Sequence, residues 1–151
     1  MANKETIKLE SLSEMNIYQL GSLRQQLEQE IEILGRSVEQ LITLQNRFKQ
    51  SEICIFKQSQ TEENSEILVP LTSSLYVQGT IKDKKKFLID IGTGYYVEKE
   101  LEGALDYFSR KIKFLAAEIE KLTKLTQAKI NFRDSVLEEF QFKTQQQVAS
   151  N

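Results

Sequence analysis

The chain has no histidine and no tryptophan, and its 151 residues include a single cysteine and a single proline. Without histidine, the commonest general base and the commonest metal ligand are both missing. The lone thiol, Cys54, excludes an intramolecular disulfide and a thiolate-rich metal site, and it suits a reducing compartment. As an unpaired thiol near the inner end of a helix, it is expected to be a small buried hydrophobe. No apolar run approaches the ~18 residues of a membrane span, and the opening residues MANKET lead into no signal-peptide core. Net charge is −2, and the longest basic run is Lys84 to Lys86. Nothing in this balance recommends a nucleic acid or an anionic membrane as partner. The reading is a soluble cytoplasmic protein, with the nucleus as a second location and with no cofactor, metal or catalytic residue.

What the chain does have is Glu, Lys, Gln and Leu in a pattern. With 40% apolar and 28% charged residues, it fits long paired helices better than a thick globular core. Leu20, Leu27, Leu34, Leu41 and Phe48 recur every seven residues, with Ile31 and Val38 at the intervening positions of the same stripe. β-branched residues at a and Leu at d suit two-stranded coils. Arg24, Gln45 and Glu52 interrupt the a positions. Gly21 and Gly35 lie off the stripe, each costing roughly 1 kcal/mol relative to Ala. The pattern predicts a helix over 11–56, ~65 Å long at the helical rise, with Ser13 as its N-cap. A second stripe, Leu101, Leu105, Phe108, Ile112, Leu115, Ile119 and Leu122, has alternating 4-3 spacing and predicts a helix over 98–144. Beyond Leu122 the same frame meets Thr126, Lys129, Arg133, Val136, Phe140 and Lys143. Residues 1–10 and 145–151 read as flexible tails.

Between the helices, 57–66 is a polar connector and 67–99 is β-rich. Four short strands are expected there as two β-hairpins, with 83–86 as a hairpin turn and Gly92-Thr93-Gly94 as a turn requiring φ > 0. Such short strands are not stable alone and must pair or pack elsewhere, so the insert reads as an assembly device.

The fold class expected is mainly α: a long antiparallel coiled-coil hairpin with two short β-hairpins inserted between its helices, the whole forming one domain over 11–144. Antiparallel pairing aligns Leu41 with Leu115, Leu34 with Leu122, Leu27 with Ala128 and Lys129, and Leu20 with Val136. The seam is then well packed near the insert and poor at the far tip. Large apolar residues concentrate at that tip: Leu9, Leu12, Met15, Ile17 and Tyr18 on one arm, and Phe132, Val136, Leu137, Phe140 and Phe142 on the other. One narrow seam cannot cover them all, which predicts exposed apolar surface and an interaction site.

Two stretches carry a family resemblance. Residues 68–80, LVPLTSSLYVQGT, and 88–99, LIDIGTGYYVEK, resemble the prefoldin α-type subunits, and the likeness in architecture extends from about Met15 to Phe140. The resemblance implies a hexamer of two α-type and four β-type subunits whose hairpins assemble into β-barrels and whose coiled coils end freely. The α-type has two β-hairpins where the β-type has one. The resemblance also implies capture of unfolded or nascent proteins of the actin and tubulin class, passed to the cytosolic group II chaperonin without ATP. Carried to this chain, the subunit interface is Leu68, Val69, Leu71, Leu75, Tyr76, Val77, Phe87, Leu88, Ile89, Ile91, Tyr95, Tyr96 and Val97. The tip residues named above become the client contacts.

Other readings of the same residues are weaker. Gly92-Thr93-Gly94 lacks the spacing and the Lys of a phosphate loop. Asp90 and Glu98 have no nucleophile, metal or pocket to serve, and Tyr95-Tyr96 lack the basic surround that base stacking needs. The main competitor is a coiled-coil adaptor or tether binding defined helical partners along a continuous flank.

Overall fold

In the computed structural model, which describes residues 12–149, two long helices flank four short strands. Helix α1 is Ile17–Ser59. It is followed by β1 (Glu66–Pro70), β2 (Tyr76–Thr80), β3 (Lys86–Gly92) and β4 (Tyr95–Glu100), and then by α2 (Leu101–Ala149). The architecture is the mainly helical one expected.

The start of α1 is set by a reciprocal pair. The Gln19 N–H donates to Asn16 Oδ1 at 2.8 Å, and the Asn16 N–H donates to Gln19 Oε1 at 2.9 Å. This capping box satisfies two otherwise orphaned donors. Asn16 is therefore the N-cap, not Ser13, which has no Glu or Gln three residues on. Residues 12–15 form a separate turn, closed by the Met15 N–H on the Leu12 carbonyl at 3.2 Å. At its other end α1 runs three residues beyond the predicted 56. Helix α2 begins at Leu101 rather than 98, because β4 stays paired with β3 through Glu100, opposite Lys86. It continues to Ala149, past the predicted end at 144. No Gly or Pro stops it there, and Gln and Ala favour helix, so the tail read as flexible is helical as far as Ala149.

The strands form two separate antiparallel sheets, β1–β2 and β3–β4. The first pairs Glu66 with Thr80 through Pro70 with Tyr76. Its turn is closed by the Leu71 N–H on the Leu75 carbonyl at 2.9 Å, with Thr72 Oγ1 accepting the Leu75 N–H at 3.1 Å. The second turns through Gly92, Thr93 and Gly94, all at positive φ, as the sequence predicts. Residues 83–86 close no hairpin. Lys86 belongs to β3, and residues 81–85 link the two sheets, the Lys85 N–H donating to Asp83 Oδ1 at 2.9 Å and Lys84 Nζ reaching the Thr61 carbonyl at 3.1 Å.

The chain divides into two compact units, one comprising Ile42–Ala117 and the other the residues up to Leu41 and from Glu118 onward. In the first, Ile55 of α1, Phe87 and Ile89 of β3, and Ala104 and Phe108 of α2 form the buried core. Phe48, Leu101, Leu105 and Tyr107 pack around it. Phe48 and Phe108 meet at a ring-centroid distance of 5.9 Å. Gln45, an interruption of the a stripe, donates its side-chain amide to the Ile112 carbonyl at 3.3 Å. Cys54, expected to be buried, is exposed. The helical phase gives the inward position to Ile55, seven residues after Phe48, and turns Cys54 one step away.

In the second unit Leu12, Leu20, Leu27 and Val136 are buried, packed by Met15, Leu23, Phe132 and Phe140. Leu20 and Val136 share this core as predicted. Lys129, expected opposite Leu27, reaches along the partner helix to Glu30 at 2.8 Å. This unit is also better packed than the fading stripe implied. Arg24 lies over the Phe140 ring at 5.8 Å and pairs with Glu28 at 3.5 Å. Lys143 donates to the carbonyls of Ser13, at 2.6 Å, and Met15. Polar side chains at stripe positions thus make contacts across the pair where apolar ones would have packed.

Candidate functional site: open strand edges and exposed apolar faces

Each sheet has only two strands, so every strand pairs on one edge and leaves the other open. An unpaired edge presents a row of backbone donors and acceptors able to take a further strand. Two-stranded ribbons of this length are marginal alone and need added strands or packing.

The second hairpin has packing on one face. Alternation along β3 turns Phe87 and Ile89 onto the helices, where they are 8% and 5% exposed, and turns Leu88 outward at 70%. On β4, Tyr95, Tyr96 and Val97 are exposed. Phe87 and Ile89 therefore leave the predicted subunit interface: they are core residues of this chain, held there by the strand's period of two. The first hairpin has far less cover. Leu68, Leu71, Leu75, Tyr76 and Val77 are all exposed, and Val69 is half-buried. Val69 also crosses to Gly79, where a Cβ would lie 3.1 Å from its Cγ2. Ile91, beside the register irregularity of β3, is exposed as well. The structure thus gathers eleven of the predicted interface residues on two open-edged ribbons with little of their apolar surface covered.

The predicted client contacts divide. Leu9 lies outside the described residues. Leu12 and Val136 are buried and close the helix pair, so they offer no surface. Met15, Ile17, Phe132, Leu137 and Phe140 are half-buried. Tyr18 and Phe142 are exposed, at 90% and 57%. Sequence reasoning missed Ile33, Leu125 and Val148 in the same unit and Phe114 in the other, all exposed. The signal was available, since Ile33 and Phe114 sit beside the stripe residues Leu34 and Leu115 rather than on the stripe.

Among the described residues no group of three or more His, Cys, Asp or Glu could hold a metal ion. No helix among them is long and apolar enough to cross a membrane. Remote from the strands, the Lys124 ammonium, by hydrogen bond and charge, holds the exposed Glu120 carboxyl below its usual range.

Comparison with known proteins agrees with this arrangement. A family model for the prefoldin subunit matches residues 27–146. Over 139 residues the chain is 42% identical to Prefoldin subunit 5 of Homo sapiens, covering 92% of this chain and 90% of that protein. To the probable prefoldin subunit 5 of Drosophila melanogaster it is 41% identical over 142 residues, 94% of this chain and 83% of that one. Its fold is similar to that of the filamentous PFD from Methanocaldococcus jannaschii, with a TM-score of 0.70 over 79% of this chain and 98% of that chain, at 21% identity. Two helices flanking paired hairpins, the matched family model and the identity over nearly the whole chain lead to one statement: this chain belongs to the prefoldin subunit family.

Proposed function

We propose that the chain acts as an α-type subunit of a mixed hexamer, two α-type with four β-type subunits, joined through its hairpins. The hexamer holds unfolded or nascent proteins of the actin and tubulin class and passes them to the cytosolic group II chaperonin without ATP. The observation that carries this reading is the pair of open-edged ribbons, which expose Leu68, Leu75, Tyr76 and Leu88 to solvent. Surface of that kind is a liability in a monomer and an asset in an assembly. Client holding is assigned to apolar residues exposed in the chain-end unit, above all Tyr18 and Phe142. Several such contacts acting together give avidity from individually weak sites, which permits release.

Native mass spectrometry of the complex isolated with this chain tests the reading. A mixed hexamer is expected, and Leu75→Glu combined with Val77→Glu should reduce it to smaller species while leaving helicity intact. A homodimer or a monomer from the natural source would favour the adaptor reading instead.

A further inference from the structure

The unit of residues 42–117 carries a groove between its two helices and β3. It has a volume of about 1080 Å³ and is bounded by α1, α2 and β3. Its α1 wall runs from Leu44 to Gln58, a length of ~21 Å at the helical rise. The floor is shared with the core, through Phe48, Ile55 and Phe108. Higher on the walls, Leu44 and Phe114 remain 38% and 61% exposed.

The charges around this groove are one-sided. Arg47, Lys86 and Lys111 line it, against Asp90 alone. Asp90 is engaged, its carboxylate accepting the Gly92 N–H at 2.9 Å. Lys86 is paired with Glu98 at 3.3 Å. Lys111 has the Tyr107 ring at 5.7 Å, and Arg47 forms no ion pair among the described residues. A chain of net charge −2 therefore offers unneutralised cations on both helical walls of an apolar trough.

We propose that this groove docks an amphipathic helical segment of a partner protein, with Leu or Phe on its apolar face and Glu or Asp on its polar face. The trough has the length of about four helical turns. Its walls are the flanks of two helices, whose ridges and grooves accept a third helix. Apolar anchors would fill the space around Leu44 and Phe114, and carboxylates would meet Arg47 and Lys111. Charge complementarity of this kind fixes orientation and speeds encounter, and helix-in-groove recognition reads anchors at i, i+3, i+4 and i+7. The anchoring side chains are those of the helix flanks, while Leu88, Ile91 and Tyr96, which also line the groove, belong to the interface proposed above, so the test is made on the assembled complex.

Cys54 supplies the readout, since it is exposed, lines the groove and is the only cysteine of the chain. The probe is a 14-residue helical peptide with Leu at the anchor positions and Glu on the polar face, beside a counterpart with Lys for Glu. Both are added to the native complex, and maleimide labelling of Cys54 is followed by mass spectrometry, with anisotropy of the labelled peptide in parallel. The Glu peptide should slow labelling at least fivefold and bind at least tenfold tighter than the Lys peptide. Arg47→Glu with Lys111→Glu should abolish that preference, while Lys82→Glu with Lys85→Glu, outside the groove, should leave it unchanged. Equal binding of the two peptides, or a charge-reversed groove that binds as before, would overturn the proposal. So would a Cys54 already unreactive in the complex, which would make the groove a buried contact between subunits.

Discussion

Thr93 sits at φ 50 between Gly92 at φ 135 and Gly94 at φ 79. The glycines accept this region without penalty, but a β-branched side chain there is disfavoured by about 1 kcal/mol. Asn tolerates left-handed backbone better, so Thr93→Asn should raise the urea midpoint of the purified chain. An unchanged or lower midpoint would mean that the Thr93 side chain makes a compensating contact. Gly35 offers a cleaner case. It is exposed in the interior of α1, and a Cβ built there meets nothing within 4 Å. Gly35→Ala should stabilise the helix by about 1 kcal/mol, read as an upward shift of the thermal midpoint. A fall would imply that the glycine is needed for a close approach outside this chain. Gly79 is the contrast, because its added methyl would press on Val69.

At the scale of elements, the strand period separates two neighbours that composition cannot. Leu88 and Ile89 are both large and aliphatic, yet one faces solvent and the other the α1–α2 core. Ile89→Asp would place an unpaired carboxylate against Phe87, Ala104 and Phe108, at a cost of several kcal/mol, and should unfold the hairpin-bearing unit. Leu88→Asp should leave far-UV circular dichroism and the thermal midpoint near their starting values while weakening assembly. If both variants kept native stability, the inward assignment of β3 would be wrong. The family resemblance carried both into the interface, and the run Phe87 to Ile91, apolar at four of its five positions, only weakly declares which face is inward. The existence and order of the elements were legible, since the heptad of Leu20 to Phe48 and the 4-3 stripe of Leu101 to Leu122 leave little choice. Boundaries were less so. The Asn16–Gln19 capping box outcompetes Ser13 through a local reciprocity that is easy to overlook, and β4 delays α2 because ladder pairing to Lys86 holds residues 98–100 extended. Long-range polar contacts were not legible, as nothing in spacing tells Lys129 to meet Glu30 or Lys143 to reach the carbonyls of Ser13 and Met15.

For the whole molecule, the question is which apolar surface would serve assembly and which clients in the proposed hexamer. The two units differ in burial. The ribbons of residues 66–100 expose most of their aliphatic and aromatic side chains, whereas the chain-end unit withdraws Leu12, Leu20, Leu27 and Val136 into a core. The fading stripe beyond Leu122 suggested a ragged surface rich in contacts, but Phe132 and Phe140 fill much of it and leave Tyr18 and Phe142 as the large aromatic groups outside. Full burial of such a side chain against a client contributes about 1.5–3 kcal/mol, and partial burial correspondingly less. Replacing both with Ser should therefore cost little stability, since neither is buried, while weakening a multivalent hold several-fold. The test is aggregation of denaturant-unfolded actin diluted into the complex bearing Tyr18→Ser and Phe142→Ser. The complex should keep its native mass and lose much of its protection at stoichiometric amounts. Full protection by that variant would move client binding away from this unit, to the other subunits or to the apolar groove beside Phe114.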